Sequence, residues 1–578
     1  MSFSVELKNG HSLRVRDINL QAELNSNEVR FSYQGLSNDP ISSGYVLAIT
    51  EFTFAYNAVL LADGFQMCAQ TTGTVQNPED VGRHSEQSQY YRIYSPSASK
   101  RYYNYLLVEE DAAYTLFGFT SCHRFAGYFE LVELENHHWV KICLDGEETC
   151  PRDWSSSQLE SIVILKGDSL SQLYHEYTHL ISCNHSPRQG VKRNAPIGWC
   201  SWYAYYSNVS EQLVSDNLNH MEGSLEAIEY VMIDDGHQAF MGDWLAPSSQ
   251  FPSGIKSLAQ EIKRCGKKPA IWLAPFIVQA ESDIFCNHKD WLVTHQDGSL
   301  LKAEDITYGG WRCTPWYLLD ASNPNVQEYF TTIICTMRKE WGIELFKLDA
   351  LFWGALKGCR AQSGITGVEA YRLGMEAINE GVGKALILGC NAPMWPSLGL
   401  VDGMRVSNAV ERDKTRCIQV AREAFFRSWQ HRKLWQIDPD CATLLPLENQ
   451  TIEQSNLDFH RNVLLACGGF LMSGDPLSQM TPLAKSTLSR LFVRHKHNQN
   501  AARFSSLSLE HAYLRMNKKN DLHCLFNFQQ QANTVYLTSD VPVNWYDYWS
   551  GEKMTDGRTD VLKVSLESMT SRAFITKR

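Results

Sequence analysis

The chain has 578 residues, of which 44% are hydrophobic and 20% are charged, and its formal net charge is −11. This length predicts two to four domains, and the negative charge argues against nucleic acids and anionic membranes as partners. No secretion signal, bilayer-spanning stretch or zinc-type CxxC pair is recognisable, so we expect a cytoplasmic protein with 16 reduced cysteines, no metal and no cofactor.

Residues 1–185 show the alternating pattern of an all-β domain. Short runs such as Glu28–Tyr33 and Tyr45–Ile49 alternate polar and apolar side chains and are separated by Asn-Gly, Asp-Gly and Ser/Asn clusters. This pattern predicts a β-sandwich built from hairpins. The helical spacing of Ser169–Tyr177 predicts a linker helix at the end of this domain.

Residues 190–497 alternate apolar strands with amphipathic helices, which indicates βα units and a parallel sheet. Eight strands are predicted, at Ile197–Trp202, Tyr230–Ile233, Pro269–Pro275, Leu345–Ala350, Ala385–Cys390, Leu400–Val406, Leu434–Asp438 and Gly469–Ser473. Eight such units predict a (β/α)8 TIM barrel. An open doubly wound sheet is the alternative, but no G-x-G-x-x-G follows the first strand.

Residues 500–578 return to alternating β patterns, for example in Leu522–Phe528 and Val561–Leu566. They predict a small antiparallel β-sandwich domain. The expected fold class is therefore α/β, with a TIM barrel flanked by an N-terminal β-sandwich and a small C-terminal antiparallel β domain.

Polar and aromatic residues are concentrated at the predicted strand ends, where TIM barrels carry their chemistry. Taken singly, each has a structural explanation, because Asp-Asp-Gly is commonly a turn and a lone Trp is commonly core. Taken together, they predict a pocket in which a polyhydroxylated ligand partners the polar groups and stacks on indole rings. The residues are Trp202, Asp234, Asp235, Trp272, Lys347, Asp349, Cys390 and Arg405.

The segment Lys347-Leu348-Asp349 is the centre of this prediction. Residues two apart on a strand face the same side, and a neighbouring lysine favours the charged form of an aspartate. A partly desolvated carboxylate is suited to act as a covalent nucleophile. The alternative is a structural ion pair at the end of a strand.

Several motifs resemble, in this order, those of the bacterial α-galactosidases (melibiases) of glycoside hydrolase family 36. They are Gly198–Tyr203, Ile233–Gly236, Gly242–Trp244, Trp272–Phe276, Phe346–Asp349, Gly389-Cys390, Asp402–Arg405 and Asp438–Cys441. The resemblance implies a β-sandwich, a (β/α)8 barrel and a C-terminal β domain. In the first of these, Asp63–Gln66 resembles a loop that brings an aromatic residue, here Phe65, to the active site.

The resemblance also implies roles for individual residues. Asp349 corresponds to the nucleophile of a retaining mechanism, and Lys347 to the residue that binds the sugar and keeps this carboxylate charged. Asp234 and Asp235 correspond to the pair that holds the 4- and 6-hydroxyls of galactose. The remaining substrate-binding residues are Trp202 and Trp272 as pocket walls and Cys390 and Arg405 near the 2-hydroxyl.

One position departs from the family pattern. A retaining glycosidase needs a second carboxyl to protonate the leaving group, and the family carries an Asp four residues after the Arg of the sixth strand. Here that position is Ala409. Three explanations are open: an engineered Asp-to-Ala replacement, a shifted loop that brings Glu411 or Asp413 to the site, or a natural non-catalytic homologue.

The expected activity is hydrolysis of terminal α-linked galactose from an oligosaccharide or glycoconjugate, with homo-oligomerisation left open. An α-N-acetylgalactosaminidase or a galactosyl-transferring homologue is one alternative. A galactoside-binding protein without turnover is another. Cys390 near the 2-position leaves little obvious room for an N-acetyl group.

Overall fold

A computed structural model describes residues 3–578 except 36–37, 83–90, 92, 96, 135–136, 155–156 and 447–450. By its internal contacts the chain divides into two compact units. The first unit comprises Met1–Arg188, Gln238–Ser249 and Trp272–Asp402, and the second comprises Gln189–His237, Gln250–Ile271 and Gly403–Arg578. The expected domain limits 1–185, 190–497 and 500–578 remain predictions.

The N-terminal part of the first unit is an antiparallel sheet of thirteen strands within the described residues. Its central path runs β1-β2-β5-β12-β11-β9-β10-β13-β4-β3, with β6, β7 and β8 joined at the side of β9. The strands are β1 Phe3–Glu6, β2 Ser12–Val15, β3 Leu20–Asn25, β4 Glu28–Tyr33, β5 Ile41–Glu51, β6 Val59–Asp63, β7 Thr71–Gly73, β8 Pro78–Asp80, β9 Tyr102–Glu110, β10 Ala113–Phe119, β11 Gly127–Leu134, β12 His137–Thr149 and β13 Gln158–Gly167.

A two-residue hairpin turn connects two neighbouring strands of this sheet. β9 and β10 pair from Glu110 opposite Ala113, which leaves Asp111 and Ala112 as a two-residue turn. Both turn residues have positive φ, 49° and 60°, as the hairpin turn that matches strand twist requires.

Helix α1 (Leu170–Asn184) follows the sheet and buries Leu173, Tyr177 and Ile181. The predicted linker helix is therefore present and is longer than expected.

Eight parallel strands form the predicted barrel. Their order is β22-β21-β20-β19-β16-β15-β14-β23, which follows the chain apart from the last strand, and the two end strands are linked where Phe470 N donates to Ile437 O at 2.9 Å. The strands are β14 Ile197–Cys200, β15 Tyr230–Ile233, β16 Lys268–Leu273, β19 Leu345–Leu348, β20 Leu386–Gly389, β21 Gly403–Arg405, β22 Gln436–Asp438 and β23 Leu471–Ser473, while β17 Ile277–Val278 and β18 Tyr317–Leu318 form a separate antiparallel pair.

Helices alternate with these strands, and most begin at a polar capping residue. For example, Thr366 Oγ1 accepts from the N–H of Glu369 at 3.1 Å, and Thr481 caps the helix before Pro482. The helices are α2 Trp202–Tyr205, α3 Glu211–Leu218, α4 Ile255–Arg264, α5 Asp283–Asn287, α6 Pro324–Thr336, α7 Leu351–Gly354, α8 Gly367–Val382, α9 Lys414–Phe426, α10 Gln454–Cys467 and α11 Pro482–His497.

The chain ends in a six-stranded antiparallel sheet, again counted within the described residues. Its order is β24-β25-β26-β29-β27-β28, and its core includes Leu525, Leu537, Trp545 and Phe574. The strands are β24 Arg503–Phe504, β25 His511–Arg515, β26 Asp521–Phe526, β27 Asn533–Asp547, β28 Thr559–Leu566 and β29 Ser571–Lys577. The predicted fold class is thus confirmed, and six of the eight barrel strands are two to four residues shorter than expected.

Burial also shapes the acid response of the first unit. The His185 ring is buried, and its Nε2 accepts from the N–H of Cys122 at 3.0 Å. Burial, with the nearby charge of Arg372, lowers the pKa of His185 from 6.5 to about 2. Because the unfolded chain then binds more protons, the stability contributed above pH 6.5 is lost as the pH falls below it.

We therefore expect a difference between the chain and a His185→Gln variant, whose amide oxygen can still accept from Cys122. Relative to this variant, the protein that keeps His185 should lose up to about 1.4 kcal/mol of its free energy of unfolding for each pH unit below 6.5. Thermal unfolding at pH 7.5, 6 and 5 measures the difference. Parallel pH profiles of the two proteins would contradict the assignment.

Candidate active site

Asp349 follows directly after barrel strand β19 in the first unit, and its carboxylate is held by three donors. Oδ2 accepts from Trp272 Nε1 at 3.0 Å. Oδ1 accepts from Asn391 Nδ2 at 2.8 Å and from the N–H of Ala350 at 2.7 Å. Asp349 is 7% exposed, so it is buried but still reaches solvent. Its carboxylate is held in one orientation by donors on three segments of the chain.

The backbone turns sharply after this strand and after its neighbour. Ala350 has φ 51° and Asn391 has φ 40°, a left-handed conformation that is unfavourable for residues with a Cβ. Such conformations persist only where the surroundings impose them, and they are frequent at functional sites. Both residues here donate a hydrogen bond to Asp349, so the strained turns and the carboxylate belong to one arrangement.

The other sequence-predicted residues of the first unit lie near the ends of the same strands. Lys347 is on β19, 8% exposed, in register with Leu388 of β20. Cys390 is 2% exposed and donates its N–H to Leu348 O at 2.8 Å. Trp272, expected to be a pocket wall, is buried beside Trp244 and also orients Asp349 through its indole N–H.

Aromatic rings from the N-terminal sheet domain lie next to this carboxylate. Phe65 contacts Phe352, three residues after Asp349, with ring centroids 5.9 Å apart, and its carbonyl accepts from the N–H of Met394 at 2.8 Å. Tyr91 lies against Phe352 at 6.0 Å and Trp353 at 6.1 Å. Burial, followed by the electrostatic effects of neighbours that include Asp349, raises the pKa of Tyr91 well above its usual value.

In the second unit, Asp234 and Asp235 follow strand β15 and are each 1% exposed. Asp234 Oδ1 accepts from the N–H of Asp235 at 2.9 Å, and Oδ2 accepts from Cys200 Sγ at 3.2 Å. Ser201 Oγ accepts from the N–H of Asp234 at 2.9 Å. The half-buried Trp202 ring meets Tyr206 edge-on at 5.4 Å. The two adjacent carboxylates are therefore both buried at one strand end.

Asp440 connects several segments of the second unit. Its Oδ2 accepts from Arg405 Nη2 at 2.5 Å, from the N–H of Val410 at 2.8 Å and from the Tyr203 hydroxyl. Burial, followed by the charge of Asp440, raises the pKa of Tyr203 well above its usual value. Arg405, expected near a sugar hydroxyl, thus has its guanidinium buried against Asp440.

Ala409 lies in a loop whose backbone is hydrogen-bonded to a side chain of helix α9. The N–H of Asn408 donates to Glu423 Oε2 at 2.6 Å, and the N–H of Ala409 donates to Asn408 Oδ1 at 2.7 Å. Glu423 is fully buried, and burial raises its pKa. These contacts fix the position at which the family pattern places an acidic residue.

The two fallback acids make local contacts instead. Glu411 pairs with Arg416 at 2.7 Å, and its side chain is 46% exposed. Asp413 caps helix α9, because its Oδ1 accepts from the N–H of Arg416 at 3.0 Å. Each carboxylate therefore already has a role in forming the start of this helix.

Sequence reasoning missed four residues of these arrangements: Tyr91, Tyr203, Asn391 and Asp440. Tyr203 and Asp440 lie within the recognised motifs Gly198–Tyr203 and Asp438–Cys441, and Asn391 directly follows Gly389-Cys390, so the positions of all three near strand ends were a usable signal. Asp440 was interpreted only as a turn or structural residue of Asp-Pro-Asp, and Tyr91 has no motif around it. Across the described ranges, no group of three or more His, Cys, Asp or Glu side chains is placed to hold a metal ion, and no helix has the length and apolar character needed to cross a bilayer.

Comparison with known sequences supports the family resemblance. The Melibiase family model matches residues 159–371. The chain is 27% identical over 147 residues to alpha-galactosidase AgaA of Geobacillus stearothermophilus, which covers 24% of this chain and 20% of AgaA. It is 22% identical over 193 residues to alpha-galactosidase 2 of Pediococcus pentosaceus, covering 32% of this chain and 24% of that protein. These matches thus span about a fifth to a quarter of the relatives' length.

Solved structures share the fold over most of the chain. The alpha-galactosidase TtGalA of Thermus thermophilus, in complex with p-nitrophenyl alpha-D-galactopyranoside, superposes with a TM-score of 0.65 at 21% identity, over 90% of this chain and 97% of that one. The family 36 enzyme AgaA superposes with a TM-score of 0.67 at 15% identity, over 98% of this chain and 81% of that one. The resemblance to bacterial family 36 α-galactosidases is confirmed.

The buried Arg405–Asp440 pair gives a prediction about stability. Asp440→Ala should lower the stability of the chain by about 3–5 kcal/mol, because it leaves a buried guanidinium without its carboxylate. Tyr203→Phe removes one hydrogen bond to the same charge and should cost about 1.5–3 kcal/mol. Denaturant titration measures both changes. Equal losses of stability in the two variants would contradict the prediction that the Arg405–Asp440 ion pair stabilises the chain more than the Tyr203 hydrogen bond does.

Proposed function

We propose that this chain, which resembles the α-galactosidases of glycoside hydrolase family 36, acts on terminal α-linked galactose with Asp349 as a covalent nucleophile. The observation that carries the proposal is the carboxylate of Asp349, fixed by Trp272, Asn391 and the N–H of Ala350 at the end of a barrel strand. A carboxylate positioned in this way is pre-oriented for attack and needs no rearrangement of its donors.

The first chemical step follows from this assignment. An oxygen of Asp349 forms a bond to the anomeric carbon while the bond from that carbon to the leaving oxygen breaks, and the leaving oxygen takes a proton. A sugar leaving group needs this proton from an acid, whereas a nitrophenolate leaves without it. Water then cleaves the galactosyl ester and regenerates Asp349, with retention at the anomeric carbon.

The methyl group of Ala409 can supply neither the proton of the first step nor the base of the second. We infer that the chain as it stands forms the galactosyl intermediate from activated substrates and turns it over slowly. This inference does not distinguish between an engineered and a natural alanine at position 409. A galactoside-binding protein without turnover is the second candidate, and Ala409 is the observation that favours it.

The substrate class is also part of the proposal. Solved relatives of this fold include TtGalA in complex with stachyose and an AgaA variant in complex with raffinose. We propose that this chain takes similar α-galactosides and that Asp234 and Asp235, which are adjacent and buried, accept hydrogen bonds from galactose hydroxyls. Lys347, Trp202, Trp272, Cys390, Arg405 and Phe65 remain the proposed substrate-binding residues.

Burst kinetics with p-nitrophenyl α-galactoside test the nucleophile. We expect release of about one nitrophenolate per chain followed by a slower steady rate, because the second step lacks a base. Intact mass spectrometry should show a galactosyl adduct on the peptide that contains Asp349. Asp349→Asn should abolish both signals. Asp402→Asn, at another buried aspartate of the first unit, should retain them and so controls for a general loss of folding. A burst retained in Asp349→Asn would overturn the assignment.

Restoring the expected acid gives a second test. Ala409→Asp should raise kcat/KM on raffinose by about 10²–10⁴-fold, the range that general acid–base catalysis provides. The gain on the nitrophenyl substrate should be smaller, because its leaving group needs little protonation. Glu411→Gln and Asp413→Asn should leave the rates unchanged. A loss of activity in either variant, with no gain from Ala409→Asp, would favour the shifted loop instead.

A further inference from the structure

Positive and negative charges are divided unequally between the two units of the chain. The first unit contains 23 lysines and arginines against 39 aspartates and glutamates, a net charge of −16. The second unit contains 30 against 25, a net charge of +5. The overall charge of −11 therefore combines an acidic unit with a basic one.

In the second unit, basic residues are concentrated where the barrel strands begin. The strands β22, β23, β14, β15 and β16 are consecutive around the barrel, and the helices of βα units run back to the end at which the strands start. The basic residues before these strands and at the ends of α4 and α11 form a surface that we call the basic face. They are Lys192, Arg193, Lys263, Arg264, Lys267, Lys268, Arg432, Lys433 and Lys496.

Contacts between the segments join the parts of the basic face. Arg432 Nη2, just before β22, donates to Lys192 O, just before β14, at 3.5 Å. His495 Nε2, at the end of α11, donates to Ala195 O at 3.2 Å. The starts of β22 and β14 and the end of α11 therefore lie side by side.

The basic face is open to solvent, and part of its charge is not neutralised. Across the described ranges, no carboxylate lies within salt-bridge distance of Lys192, Lys433 or Lys496. Burial lowers the pKa of Lys267, and the charge of Lys496 lowers it further, so cations of this face repel one another. Carboxylates of a partner would relieve this repulsion. The exposed members are Lys192, Arg193, Lys263, Arg264, Lys433 and Lys496.

The first unit carries a compact acidic segment, residues 281–305. It lies between the paired strands β17 and β18, and within it Thr294 pairs with Leu300. Its only lysines or arginines are Lys289 and Lys302. Six exposed carboxylates lie on this segment, those of Glu281, Asp283, Asp290, Asp297, Glu304 and Asp305.

We propose that the basic face of one chain binds the acidic segment of a second copy of the chain. Every copy carries both surfaces, so the complementary charges are present without any other partner. The contact would be heterologous, because two different surfaces meet in it. A nucleic acid would meet only repulsion from the acidic unit, whereas a second copy uses the charges of both units. The proposal is independent of the proposed hydrolase function, because neither surface contains a residue assigned to the candidate active site.

Sedimentation velocity of the full chain tests this contact. At about 50 mM salt we expect species larger than one chain, in a proportion that rises with protein concentration, and at about 500 mM salt a single chain, because salt screens exposed charges. Charge reversal of the basic face should weaken association by about tenfold or more, and so should reversal of the acidic segment. The two reversed variants are Lys192→Glu with Lys433→Glu and Lys496→Glu, and Glu281→Lys with Asp290→Lys and Glu304→Lys.

A mixture of the two reversed variants distinguishes a contact between different surfaces from a general effect of charge. Each variant keeps one of the two surfaces, so each alone should sediment as a single chain at the lower salt concentration. Mixed, they should form one-to-one pairs. Glutamine at the same six positions removes the charges without reversing them, and it replaces a reversed variant that loses its native circular dichroism.

A matched control makes the same change of charge elsewhere in the second unit. Lys553→Glu with Arg558→Glu and Lys563→Glu alters exposed residues of the C-terminal sheet, and this variant should associate as the parent does. A parent that stays a single chain at the lower salt concentration, or reversed variants that associate like the control, would overturn the proposal.

Two further outcomes would overturn the proposal as well. One is that the reversed variants fail to pair when mixed. The other is that heparin, a polyanion, binds through the basic face of a chain that does not self-associate. None of these outcomes bears on the burst and mass measurements, so the two proposals fail separately.

Discussion

Burial of charged groups at the ends of the barrel strands is the constraint on which this structure depends. A carboxylate or guanidinium removed from water must be given hydrogen-bond partners, or the fold loses several kcal/mol. In the first unit, Trp272, Asn391 and a backbone N–H partner Asp349. In the second, Asp440 is partnered by Arg405, Tyr203 and the N–H of Val410. The same contacts that make burial tolerable also fix the direction of each side chain.

This constraint explains what could be predicted from sequence. Apolar runs interrupted by charges identified the strands that end just before Asp234 and Asp349 and the strand that ends at Arg405, because few sequence patterns other than a strand end place a charge there. The barrel followed from the number and spacing of those runs. Strand limits were predicted less well, since residues such as Trp202 and Val406 continue the apolar pattern after ladder pairing has ended.

For the candidate residues, the sequence predicted positions near strand ends but not the contacts that they make. Lys347-Leu348-Asp349 is a local signal, whereas the hydrogen bond from Trp272 joins residues 77 positions apart. Tyr91 reaches the neighbourhood of Asp349 from another domain, and no local pattern announces such a long-range contact. Asp440 looks like a turn residue and in fact has φ 77°. Its role as partner of Arg405 depends on how two neighbouring strands of the second unit are aligned.

The left-handed turns after β19 and β20 have an evolutionary consequence. Since Ala350 and Asn391 reverse the backbone immediately and bond to Asp349, the orientation of that carboxylate is set before the following loop begins. The loops can then change in length and composition without disturbing it. A carboxylate oriented at the strand end, with the loops free to differ, would allow chains of this fold to take different substrates while keeping one reacting group in place.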